Sequence, residues 1–413
     1  MRTVRAVVAL LLVLLPATIG TAGANPPKPF VWTTVWATSA HQPSKAFVAN
    51  WAESGFTNHT VRQVVRVSDG GLTTRVRLTN RYGTTPLAVA GATIARSAAD
   101  GAIDPDSVQN LTVGLAPSFR IAPGADLVTD PAMLSLAPLE SVTITLYLAE
   151  PTGPATQHAQ SFATTYRANG DHRADATAAA FTETSQSWYY LTGVEVANVA
   201  PPRSALVAFG DSITEGVGST RNSDNRYPDE LAERLAAAGI PRAVLNEGIG
   251  GNRVTVDSSW LGDSARTRFR HDVLDQPGVG TVIILEGTND IGLSSGVTAV
   301  DTVVDVSPEQ LITTYRDLIA QARAAGLRVL GATLPPFGDS PYFNDAAENK
   351  RLAVNEWIRT AGEYDSIVDL DAALADPTDP HRLAPAYDSG DHLHPNDAGY
   401  RTMAATVDLT DIR

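Results

Sequence analysis

The sequence predicts two fold classes in series. An all-β domain of sandwich or jelly-roll type is expected over 25–200, and an α/β domain with a five-stranded parallel sheet over 203–413. Three observations predict this. Short runs with alternating or β-branched residues fill the first half, with no convincing helix between 55 and 198. After residue 204 apolar runs and helical patterns alternate. Between them, "NVAPPRS" (198–204) carries two prolines and little to bury, as a linker does.

In the first half, "TVRQVVRVS" (60–68) and "TTRVRLTN" (73–80) flank Asp69-Gly70-Gly71, a hairpin signal. In "SVTITLYL" (141–148) Val142, Ile144, Leu146 and Leu148 recur with period two, which predicts a half-buried strand. "PLAVAGATIARS", "QNLTVGL" and "SWYYLTGVEV" add further strands. In the second half, strands are expected at 205–209, 243–246, 281–285, 328–333 and 366–369. Leu231, Leu235 and Ala238 share one helix face, with Gly239 where a helix would stop. Ser307, Pro308 and Gln310 form a capping box ahead of the stripe Leu311, Tyr315, Leu318 and Ala322. "AENKRLAVNEWIRTAG" repeats that logic up to Gly362. Ligands in such folds bind at the carboxyl ends of the parallel strands.

Composition narrows the chemistry. A chain of 413 residues has room for two domains, and 43% hydrophobic residues allow a sizeable core. A net charge of -14 without a basic patch argues against nucleic-acid or anionic-membrane partners. The absence of cysteine removes disulfides, thiol catalysis and Cys-ligated zinc. At the start, Arg2 and Arg5 precede an apolar stretch from Ala6 to Leu15 and then Ala22-Gly23-Ala24. That is the layout of a secretory signal peptide over 1–24, cleaved near Ala24, and the apolar run is too short to span a bilayer. A secreted protein is therefore expected, with no integral membrane association after cleavage.

The strand ends carry the candidate site. The first strand runs into Gly210-Asp211-Ser212, the second into "NEGIGGNR" (246–253), and the third into "EGTNDIG" (286–292). The last leads, after a helix and loop, to "SGDHLHPNDAGY" (389–400). A serine needs a base to become nucleophilic. His394 is a candidate base, and Asp391 three residues earlier is placed to orient it. The N–H of Ser212, a glycine N–H from "GIGGN" and the Asn289 amide are candidate donors to an oxyanion. Glycine suits the second position because the backbone must approach closely.

These four blocks resemble the SGNH hydrolases, also called the GDSL esterase family. "FGDSITEG", "NEGIGGNR", "GTND" and "DHLHPN" stand in the family's order over residues 205–400. Each tetrapeptide alone is weak; all four, each after a predicted strand, are specific. The resemblance implies a flavodoxin-like α/β domain, with Ser212, Asp391 and His394 as catalytic residues. It places Ser212, Gly251 and Asn289 in the oxyanion hole, with Gly250 as the alternative glycine. It implies a serine esterase working through an acyl-enzyme, without cofactor or metal. The whole layout resembles secreted actinobacterial esterases with an N-terminal β-domain. Because some multidomain members act on acylated plant polysaccharides, short acyl groups such as acetyl on carbohydrate are the leading substrates. A lipase or phospholipase-type acylhydrolase is the alternative, and a glycan-binding protein with a vestigial hydrolase domain is another.

Other readings stand beside these. His392 competes with His394 as the base. Asn289 also fits an Asx turn. Asp211 reads as a loop-structuring carboxylate, and Asp290 as a backbone hydrogen-bond acceptor. "HLH" with Asp391 resembles a metal pair but lacks a third ligand motif, and no pair of carboxylates stands out as in a glycosidase. Trp260, Phe337, Tyr342 and Phe343 are candidates to line a pocket or to pack locally. Trp32, Trp36, Trp51, Trp188 and Tyr189 either present a glycan-stacking surface or sit in the β-domain core, and the core reading is favoured.

Overall fold

The structure is a computed structural model that describes residues 31–45, 47–198, 205–294 and 303–412. The signal peptide expected over 1–24 and linker residues 199–204 lie outside the described residues.

The first half folds into two main antiparallel sheets. One has six strands, in the order Glu183–Ser185, Thr165–Asn169, His59–Arg66, Ser141–Leu148, Gly91–Arg96 and Gln109–Leu111. The other has four: Val31–Ala37, Leu191–Asn198, Thr73–Thr79 and Asp126–Val128. Val61, Val65, Ile144 and Leu146 from the first sheet and Val76, Leu78, Val194 and Val196 from the second enter one apolar core. Among the described residues of this half, helical geometry is confined to the 3-10 turns Ala99–Gly101 and Pro105–Ser107.

Two local expectations are corrected. The strands flanking Asp69-Gly70-Gly71 do not form a hairpin: His59–Arg66 pairs with Ser141–Leu148 and Thr165–Asn169, while Thr73–Thr79 pairs with Leu191–Asn198 and Asp126–Val128. The turn instead carries the chain from one sheet to the other. Its groups are engaged elsewhere, Ser68 N with Val35 O at 2.9 Å and Gly71 with Leu136 through two bonds of 2.9 Å. Strand Ser141–Leu148 is not half-buried either. Thr143 and Thr145, on its other face, are buried too. That face also carries Arg62, whose guanidinium donates to the carbonyls of Gly101, Thr177 and Asp175. The loops bearing these carbonyls cover the face, so polar residues lie inside.

The second half is the expected α/β fold. Five parallel strands lie in the order Val244–Gly248, Ala205–Gly210, Val279–Leu285, Arg328–Ala332 and Ser366–Val368. Helices Tyr227–Ala237, Pro308–Ala324, Asp345–Thr360 and Asp397–Thr406 accompany them. The capping box is present: Ser307 N donates to Gln310 Oε1 at 2.8 Å, and Gln310 N to Ser307 Oγ at 3.3 Å. The sequence-first strand lies between the second and third. The loops after it therefore diverge at the point where strand order reverses, the usual place for a ligand.

The two halves share a buried seam. Thr34 N donates to Pro277 O at 3.0 Å, and Val244 N to Ser68 Oγ at 2.8 Å. Ser39 Oγ lies 2.8 Å from carboxylate oxygens of both Glu247 and Asp272. Burial first, and the Asp272 charge second, push the Glu247 carboxyl well above its usual range. Beside it sits Arg268, whose guanidinium meets Asp272 at 2.9 Å and Glu286 at 2.8 Å. Removing one member of such a buried set leaves uncompensated charge. Arg268→Met should therefore cost about 3–5 kcal/mol of unfolding free energy, read from urea titration by circular dichroism. A loss below about 1 kcal/mol would contradict this account.

Candidate active site

Strand Ala205–Gly210 ends against the one-turn helix Ser212–Glu215, and the residue between them sets the geometry. Asp211 is the N-cap, its carboxylate accepting from Ile213 N at 2.9 Å. This starts the helix at Ser212, whose own N–H stands at the first helical position, where no intrahelical partner exists. The Ser212 side chain is thus presented at the strand's carboxyl end.

The structure brings Ser212, His394 and Asp391 into one line. Ser212 Oγ lies 2.8 Å from His394 Nε2, and His394 Nδ1 lies 2.6 Å from Asp391 Oδ2. A carboxylate accepts, so Nδ1 carries the hydrogen and Nε2 is free to accept from the serine hydroxyl. Asp391 Oδ1 receives the backbone N–H groups of Leu393 at 3.0 Å and His394 at 2.8 Å. Partial burial alone would raise this carboxyl. The hydrogen bond and charge of His394 outweigh it and hold Asp391 well below the usual carboxylate range. His392 is placed elsewhere: its Nδ1 meets Asp388 Oδ2 at 2.6 Å, and its side chain is half exposed.

The other predicted residues gather around the serine. Asn289, Gly250 and Gly251 line the same cleft as Ser212 and His394. Asn289 Nδ2 donates to Asn252 O at 2.9 Å and lies 3.3 Å from Asp211 Oδ2, while its Oδ1 accepts from Tyr342 OH at 2.9 Å. Those contacts fix the amide's orientation. The Gly250 N–H is directed to the Glu215 carboxyl. Gly251 has φ +72°, and a Cβ there would come within 2.5 Å of Leu261 Cδ2. The left-handed backbone favours glycine at this turn, while the Leu261 side chain could shift. Asp290 accepts from Val254 N at 2.7 Å and Thr255 N at 3.2 Å, so it shapes the neighbouring loop.

Of the four candidate aromatics, Trp260 and Tyr342 line the cleft; Phe337 is core and Phe343 is exposed. The sequence reading missed Phe47 and Gln160, which reach the cleft from the strand-rich half. The Phe47 and Trp260 rings lie 5.6 Å apart. No local signal marks either residue, because their position arises only when the halves dock. Trp36, Trp188 and Tyr189 are buried, and Trp51 is partly buried against the core, as the core reading had it; Trp32 is partly exposed outside the core, with Arg75 over its ring.

Asp211, beside the serine, has a displaced carboxyl pKa. Burial, only partly offset by the Ile213 N–H, raises its pKa to about 6. A carboxyl raised on folding gives stability that is complete below its unfolded pKa and lost as pH rises through the folded value. Asp211→Asn removes this dependence. Its stability relative to the wild-type chain should therefore improve by about 2–3 kcal/mol between pH 4 and pH 7.5, whatever constant offset the substitution adds. Paired urea titrations across that range measure it, and a pH-independent difference would contradict it.

Residues 208–402 match the GDSL-like lipase/acylhydrolase family. A variant of an acetyl-xylooligosaccharide esterase from Geobacillus Stearmophilus aligns with 51% of this chain and 94% of its own, at 23% identity and TM-score 0.40. A GDSL-like lipase from Bacteroides thetaiotaomicron VPI-5482 aligns over 50% and 87%, at 21% identity and TM-score 0.37. An aryl esterase from M. smegmatis aligns over 49% and 95%, at 18% identity and TM-score 0.39. No curated protein matches significantly. The region with the parallel sheet and the Ser212 cleft belongs to the GDSL-like, or SGNH, hydrolase family, and the chain is a carboxylic ester hydrolase.

Proposed function

We propose that the chain is a secreted serine esterase that cleaves short-chain acyl esters through an acyl-enzyme, with acetyl groups on carbohydrate as the leading substrates. The observation that carries the mechanism is the line Ser212 Oγ–His394 Nε2–Asp391, with spacings of 2.8 and 2.6 Å. His394 takes the hydroxyl proton as Ser212 attacks the ester carbonyl carbon. Asp391 holds the imidazole in the accepting tautomer and balances the imidazolium. The tetrahedral oxyanion is received by the Ser212 N–H, the Gly251 N–H and the Asn289 amide, which gives up its long 3.3 Å contact with Asp211 Oδ2 to donate there. Gly251 is preferred to Gly250 because the Gly250 N–H is committed to Glu215. His394 then gives its proton to the leaving alkoxide. Water, deprotonated by the same imidazole, releases the acid and restores Ser212.

The layout supports the remaining parts of the reading. Residues 1–24 have the pattern of a cleaved leader. Among the described residues no helix is long and apolar enough to cross a membrane. We read 25–200 as an accessory β-domain that packs on the hydrolase domain, 203–413, and completes its cleft with Phe47 and Gln160. Aromatic rings at the mouth suit a sugar face, and the wall of Val217, Leu261, Leu293 and Leu393 suits an acyl chain.

With p-nitrophenyl acetate, residues 25–413 should turn over, and Ser212→Ala should lose at least about 10⁴-fold in kcat/KM. Asn289→Ala should lose about 10²–10³-fold in kcat. Equal rates in wild type and Ser212→Ala would place the nucleophile elsewhere. A rate that climbs steadily from acetate to long-chain esters would favour the lipase-type reading.

A further inference from the structure

Behind the cleft, in the seam between the halves, three side chains of metal-ligand type converge. The donor atoms of His41, His158 and Glu215 lie within 4.8 Å of one another, and all three residues are buried. Their backbones are held from both halves. His41 N donates to Gln157 O at 2.5 Å, and Gln157–His158 pairs with Trp188–Tyr189. Glu215 ends the helical turn that begins at Ser212.

The hydrogen bonding within the cluster does not close. His158 Nδ1 lies 3.0 Å from Ser39 O. A carbonyl only accepts, so Nδ1 carries the hydrogen and Nε2 has a bare lone pair. That lone pair lies 3.4 Å from Glu215 Oε1, which has no hydrogen-bond partner. Neither ring nitrogen of His41 has one, although the residue is only 1% exposed. Buried polar atoms normally find partners, and each exception calls for one.

A divalent cation would engage one ring nitrogen of His41, the bare Nε2 of His158 and Glu215 Oε1 together, leaving the remaining His41 N–H unpartnered. Two imidazoles and a carboxylate are a donor set of zinc, with water free to complete the shell. A ligating histidine characteristically donates its other N–H to a carbonyl, as His158 does to Ser39. The nearby cations are already matched, Arg226 by Asp224 and Asp229, and Arg268 by Asp272 and Glu286. A narrow pocket along the seam is lined in part by His158, Glu215, Trp188 and Asn246.

We propose that His41, His158 and Glu215 form a structural zinc-type site that clips the strand-rich half to the loop behind the reactive serine. Glu215 makes the link, since its carboxyl also takes Gln160 Nε2 at 3.0 Å and the Gly250 N–H. No step of the proposed hydrolysis passes through the ion, so the proposal goes beyond the esterase reading and does not depend on it.

The test uses the full mature chain, stripped with a chelator, dialysed against Zn²⁺ and assayed for bound metal. One zinc per chain and a Tm that rises with free zinc are expected. His41→Phe should bind at least about 100-fold more weakly. Cobalt(II) loaded into the wild-type chain should give an imidazole-ligated visible spectrum that zinc displaces, a readout that needs no variant to fold. Substoichiometric zinc in the wild type would overturn the proposal and leave a proton shared between Glu215 and His158. Undiminished zinc binding in a folded His41→Phe would overturn it too, by placing the ion elsewhere.

Discussion

One buried guanidinium holds the reactive edge of the sheet together. Arg268 donates to Gly210 O and Glu247 O at 2.8 Å, and to Asn252 Oδ1 at 2.9 Å. It also pairs with Glu286 and stacks over the Phe209 ring at 4.0 Å. Gly210, Glu247 and Glu286 stand at or next to the carboxyl ends of three neighbouring strands. The loops leaving those ends bear Ser212, Gly250 with Gly251, and Asn289. A planar group with five fixed donors can register three strand ends at once; a lysine cannot. Positioning of the nucleophile against its oxyanion donors thus depends on a residue that touches neither.

The seam extends this ordering to the strand-rich half. Ser39 lies against the same cluster, 3.1 Å from Arg268 Nη1. Gln160 and Phe47 reach the cleft wall from that half. The reactive loops are therefore braced from behind by buried polar contacts and shaped in front by aromatic ones. Asn289 shows the outcome: a carbonyl, a carboxylate and a phenol hold its amide in one orientation. An amide oriented before substrate arrives needs little reorganisation as charge develops.

Much of this was legible in the sequence where the signal is local. The parallel strands show as apolar runs, the helix after Ser307 as a capping box, and the site as four short blocks at strand ends. Legibility failed where distant chain segments decide. Asp69-Gly70-Gly71 has the chemistry of a hairpin, but each flanking strand found a longer partner in a different sheet. Thr143 and Thr145 look solvent-facing, yet loops anchored on Arg62 cover them. Arg268 reads as an ordinary helix charge, and His41 and His158, 117 positions apart in the chain, share no motif. Such residues gain meaning only from the carbonyls and carboxylates that the fold brings to them.

The central claim is that Ser212 forms the covalent intermediate. The most direct measurement is labelling of the mature chain with a fluorophosphonate, followed by peptide mass mapping. The account predicts one adduct per chain, on the peptide containing Ser212, with esterase activity lost in proportion to labelling. An adduct on another residue, or full activity after complete labelling of Ser212, would contradict it.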